Sequence, residues 1–178
     1  MIVSRHVLPS VLLAATTALV GCTAQDRPPV TPSCEAEPFP PPHAQIPPCS
    51  GVDVLQGSVG TLYRLDPSAG IDPRSAFDTA RPLMSPAFVV HAGPGASMWS
   101  PITVSEWQAW VDARIAVAST VEVTADDHPP DTATSTARVL AVHLTPAGGS
   151  PVDFAVYARA IRSGAESRWL LTDLKVLS

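Results

Sequence analysis

Four stretches near the C-terminus decide the fold: Ala113–Thr124 ARIAVASTVEVT, Val139–Leu144 VLAVHL, Val152–Arg159 VDFAVYAR and Trp169–Leu177 WLLTDLKVL. In the first, Ile115, Val117, Val121 and Val123 alternate with Arg114, Ala116, Thr120 and Glu122, the period of two that sends one face to a core and the other to water. Leu140, Val142 and Leu144 alternate with Val139, Ala141 and His143 in the second. Val152, Phe154, Val156 and Ala158 alternate with Asp153, Tyr157 and Arg159 in the third. The fourth places Leu170, Leu174 and Val176 on one side and Trp169, Asp173 and Lys175 on the other. Between them lie residues that favour turns: Asp126 to Asp131 with Pro129 and Pro130, then Pro146 to Ser150 with two glycines, then Ser163 and Gly164. The pattern predicts four antiparallel strands joined by three turns. A strand of about twelve residues spans roughly 40 Å, long for a domain of this size, so the sheet must coil and its concave face needs a lid.

The lid is expected from the residues before Ala113. Leu55, Val59, Leu62 and Tyr63 fall at helical spacing, although Gly57 and Gly60 weaken that helix. Asp72 followed by Pro73 is a helix start with a capping carboxylate, and Phe77, Ala80, Leu83 and Met84 then share a face. Pro82 ends or kinks this helix, Ser85 with Pro86 starts another short turn, and His91 to Pro101 reads as a loop. Thr103 and Glu106 form a capping-box pair ahead of Trp107 and Trp110, on a short helix that feeds the first strand. The fold class predicted is α+β: short N-terminal helices packed on a curved four-stranded antiparallel sheet, as one domain over residues 51–178, about 128 residues, enough for one core.

The N-terminal third has a different composition. Residues 1–21 carry Arg5 and then an apolar run from Val7 to Val20, too short to span a bilayer as a helix and suited to a signal peptide. Residues 22–50 hold nine of the chain's 20 prolines between Thr23 and Ser50 and almost no aliphatic side chains, which predicts an extended tether. Three cysteines are odd in number; once Cys22 is assigned to lipid, as the resemblance of its surroundings given below implies, Cys34 and Cys49 are left as an even pair that suggests a disulfide outside the cytoplasm. From Cys22 onward ten basic side chains face sixteen acidic ones, a net charge of −6, which argues against nucleic acid as a partner.

The quartet Leu19, Val20, Gly21, Cys22 resembles the lipobox of bacterial lipoproteins. That resemblance implies an acylated Cys22 as the first mature residue and an extracytoplasmic domain held on the cell membrane by its acyl chains. The order of elements from Leu55 to Leu177 resembles the nuclear-transport-factor-2-like fold, a cone with helices against the concave face. Local wording is similar to proteins encoded beside transfer genes of mobile elements in high-GC Gram-positive bacteria: Tyr63 to Pro67 with Asp72-Pro73, Arg81-Pro82-Leu83 with Ser85-Pro86, Trp107 and Trp110, Pro130 to Thr134, and Arg168-Trp169 with Asp173. It implies kinship with the extracytoplasmic domains of conjugation and type IV secretion scaffolds, which bind envelope proteins and catalyse nothing.

No stretch carries a catalytic or cofactor signature, so no catalytic residue, cofactor or metal is assigned. Asp126, Asp127, His128 and Asp131 offer ligands within six residues but match no calcium loop and suit a solvated turn. His143, Asp153 and Tyr157 lie on the strand parity opposite Leu140, Val142, Phe154 and Val156, so the cone interior is expected to lack an acid–base pair. Trp107, Trp110, Leu140 and Phe154 are expected to line the space between lid and sheet, and Trp99, in its glycine-rich loop, to contact a partner. A non-enzymatic scaffold or interaction domain is the expectation; carriage of a small apolar ligand in the cone is the alternative.

Overall fold

The computed structural model describes residues 35–99 and 101–177, which lie in the compact unit Pro32–Ser178. The leader, Cys22 and Cys34 fall outside the described residues. Four α-helices pack on an open four-stranded antiparallel sheet: α1 Gly51–Leu62, α2 Pro73–Ala80, α3 Pro86–Ala92, α4 Val104–Asp112, then β1 Val117–Val123, β2 Ser135–Pro146, β3 Val152–Ile161 and β4 Leu170–Leu177. Strand order is β1-β2-β3-β4, the simplest arrangement for consecutive hairpins.

Each helix starts where the sequence supplies a cap. Ser50 accepts from the Asp53 amide, Ser85 from Phe88, and Thr103 from Glu106, while Asp72 and Ser75 complete a reciprocal box at the start of α2. α1 turns Val54, Leu55, Val59 and Leu62 toward the sheet, all nearly sealed from solvent, and touches every strand. Facing them, Leu140, Val142, Leu144, Val156, Ala158 and Ala160 have no exposed surface. The parity read from the sequence therefore holds for β1 to β3, with Val121 opposite Val142 and Leu140 opposite Val156.

β4 departs from it. Its pairing with β3 slips between Arg159 and Ala160, so that Asp173 faces Arg159 but Leu171, not Thr172, faces Ala160. An extra residue flips the side-chain parity. Leu171 is buried with Leu174, whereas Leu170, expected on the inner side, stands partly exposed. β1 is also shorter than its alternating pattern. Arg114 takes a left-handed conformation (φ 50°) just past α4, and Ile115 N–H returns to the Trp110 carbonyl at 2.9 Å, so residues 113–116 serve to leave the helix. The stretch after His91 is more ordered than a loop: α3 runs to Ala92 and a 3-10 helix follows over Gly93–Met98.

The largest correction concerns residues 35–50, read as part of an extended tether. They pack on the domain. Phe39 is 2% exposed within the main core, and the Arg168 guanidinium lies 5.5 Å from its ring. His43, also buried, sets Nε2 2.8 Å from the Thr79 carbonyl. Trp169 donates its backbone N–H to Pro48 O and its indole N–H to Cys49 O, at 3.0 and 3.1 Å. The Ile46 side chain lies directly over Gly57 of α1, where a Cβ would meet its end and make that side chain shift. Cys49 is disulfide-bonded, with a partner outside the described residues.

If the strap is part of the core, Phe39→Ala should cost about 3–5 kcal/mol, whereas Asp153→Ala, on the exposed face of β3, should stay within about 0.5 kcal/mol. Urea unfolding of the two variants checks this, and a Phe39→Ala protein as stable as wild type would return the segment to the tether.

Candidate functional site

The side chains singled out by sequence do not converge on one place. Leu140 lies sealed beneath the helices, and Phe154 meets Tyr63, at the end of α1, edge-on with ring centroids 5.0 Å apart. Trp107 and Trp110 form their own edge-on pair at 6.2 Å on α4, whose main contact is the turn at Pro67–Ala69; α1 takes the central place over the sheet. Trp110 is buried and Trp107 partly so. Trp99 is committed to internal packing instead of standing free. It stacks on Phe88 at 5.7 Å, meets Phe77 edge-on at 5.8 Å, and its carbonyl accepts the Tyr63 hydroxyl at 2.6 Å. Burial pushes the Tyr63 phenol well above its ordinary pKa, so it stays a donor. Cys22 and Cys34 lie outside the described residues.

The acidic turn resolves into a clamp. Arg138 donates from Nη1 and Nη2 to the two oxygens of Asp131 at 2.7 and 2.6 Å, and the Thr136 hydroxyl adds a bond of 2.6 Å. Arg138 is an inner-parity residue at the end of β2 that extends past β1, and its side chain is only 13% exposed. The pair thus closes the open end of the sheet with a bidentate contact. The Arg138 hydrogen bonds, with Thr136 adding to them, hold the Asp131 carboxyl at about 2. Among the described residues no three His, Cys, Asp or Glu side chains are placed to share an ion. His143 and Asp153 pair across β2 and β3 at 2.9 Å on the outer face, with Tyr157 on that same face.

A groove of about 710 Å³ lies where the flank of α1 meets the outer edge of β1. Gly57, Gly60 and Arg64 form its α1 side, His43 and Ile46 of the strap and Thr79 of α2 close it opposite, and Val117 and Ser119 bring the β1 edge into it. Sequence reasoning missed this groove. Its walls come from five separate segments, the turn with Asp66, Gly70 and Ile71 included, and the one local signal, the two helix glycines, reads equally as weak helix propensity. No protein-family model matches the chain, and no curated protein or solved structure matches it. Among the described residues no helix is long and apolar enough to cross a membrane.

The clamp makes stability depend on acid. A carboxylate whose folded pKa is depressed contributes stability that is complete above its unfolded value, about 4, and is lost as pH falls through the folded one. Asp131 is half exposed, so the contribution should be under about 1 kcal/mol. Urea midpoints of wild type and Asp131→Asn should differ at pH 7 and converge as pH is lowered from about 4 through about 2. A gap that stays constant over that range would exclude the clamp.

Proposed function

We propose that this chain is an extracytoplasmic lipoprotein, anchored to the cell membrane through acylated Cys22, whose α+β domain is a non-enzymatic protein-interaction module of the nuclear-transport-factor-2-like kind. The observation that carries the reading is the packing of the inner sheet face. Leu140, Val142 and Val156 are sealed beneath α1, while His143, Asp153 and Tyr157 stand on the opposite face. Among the described residues the inner sheet face carries aliphatic side chains sealed beneath α1 and no facing acid and base, which favours a role for the surface over chemistry or carriage within. The work of such a domain falls to its surface. The resemblance to conjugation and secretion scaffolds points to a protein of the cell envelope as the partner, and the acidic net charge speaks against nucleic acid.

Two measurements test this. Cys22→Ala should move the protein from membrane to soluble fractions, since a durable anchor requires acyl chains on that cysteine; continued sedimentation with membranes would refute the anchor. Crosslinking in intact cells, followed by detergent extraction, should recover a reproducible envelope protein with the wild type. A chain that crosslinks to nothing beyond background would refute the interaction role.

A further inference from the structure

We propose that the free edge of β1 is the docking site of an extended, acidic segment of a protein partner, which adds to the sheet as a fifth strand. This rests on the reading of the domain as an interaction module and says where and how it binds. The β1–β2 ladder joins Ala147 N–H to Ala116 O at 2.9 Å and Thr124 N–H to Val139 O at 3.0 Å. In an antiparallel pair such residues alternate, so the backbone groups of Val117, Ser119 and Val121 point away from the sheet. The fold itself touches this row at two points: Ser68 N–H reaches the Ile115 carbonyl at 3.3 Å, and the Gln56 side chain donates to the Val121 carbonyl at 2.9 Å, with the Val123 backbone pointing outward beyond it. Between these contacts the N–H and C=O of Val117 and Ser119 and the N–H of Val121 have no partner among the described residues. The Ser119 hydroxyl, itself shielded from solvent, has none either.

The groove opens at this uncovered stretch. A Cβ at Gly60 would meet nothing within 4 Å, so the α1 side stands back from the edge and leaves room for incoming side chains. Charge selects the occupant. Oδ1 of Asp66 accepts from the Ser68 and Ala69 amides, and His43 Nε2 sits on the Thr79 carbonyl, whereas the exposed guanidinium of Arg64 makes no ion pair or hydrogen bond among the described residues, its backbone N–H alone bonding the Thr61 carbonyl. An added strand supplies the missing main-chain bonds, and a carboxylate on its groove-facing side meets the unpaired guanidinium. A proline-rich segment cannot do this, because each proline removes a donor from the ladder.

The test uses the full chain in detergent micelles with fluorescein-labelled seven-residue peptides, capped at both ends, alternating Val and Thr around a central Glu or Lys. Anisotropy should show saturable binding of the Glu peptide and binding about tenfold or more weaker for the Lys peptide. Hydrogen exchange of the Ser119 and Val121 amides should slow when the Glu peptide is bound. Arg64→Gln, an exposed change, should abolish the preference for Glu. Gly60→Glu places a carboxylate one turn before Arg64 and fills the groove, so it should abolish binding without lowering the melting temperature. The proposal is overturned if the Glu peptide does not bind, if Glu and Lys peptides bind alike, or if Gly60→Glu leaves binding unchanged. Should partner crosslinking of the wild type survive such a result, the interaction role stands and only this docking edge falls; if crosslinking also fails, the role falls with it.

Discussion

The structure depends on one contact surface, the apolar stripe of α1 laid across the inner face of the sheet. A four-stranded sheet with alternating pattern presents a face that must be covered, and α1 packs against all four strands. Its stripe of Val54, Leu55, Val59 and Leu62 meets aliphatic side chains of β2 and β3 with almost no solvent left at either surface. At roughly 1.5–3 kcal/mol for each fully buried aliphatic side chain, this interface supplies enough to hold a helix that two glycines weaken by about 1 kcal/mol apiece. Tertiary burial, and not helix propensity, makes α1 a helix.

Much of this was legible because its signals are local. Alternation along β1 to β3, helix caps at Asp72, Ser85 and Thr103, and the turn chemistry between strands each involve residues within a few positions of one another. They set the class, the strand order and the facing of Leu140, Val142 and Val156. β4 shows where local reading ends. Its residues put apolar side chains on both parities, with Leu170 and Leu171 adjacent, and only the slip opposite Arg159, set by pairing with β3, decides that Leu171 and not Leu170 lies on the inner side.

The strap and the clamp were illegible for a related reason. Residues 35–50 contain no periodicity that prolines would permit, so composition says tether; the evidence for packing is that Ile46 lies over Gly57 and Trp169 donates to Pro48 and Cys49, all contacts across long chain separations. Asp131 reads as a turn residue until Arg138, seven positions on, is placed at the overhanging end of β2. Trp99 was misplaced by the same logic. Glycine and proline around it indicate a loop, but the 3-10 helix beneath it carries the ring into an aromatic group with Phe77 and Phe88.

The two sheet edges are treated unequally. At β4, Ser85 N–H bonds the Leu171 carbonyl at 2.9 Å and Met84 bridges to Leu171, so the chain between α2 and α3 runs along that edge as a partial fifth strand. At β1, among the described residues, isolated contacts from Ser68 and Gln56 touch the row, and they stop short of its middle. Exposed edges invite pairing with other chains, and proteins commonly blunt them by cover, charge or proline. Among the described residues cover is supplied at β4 and stops short of the centre of β1, where a groove and the Arg64 guanidinium, without an ion pair, lie beside main-chain groups that have no partner. The edge of β1 is where the sheet still has hydrogen bonds to give.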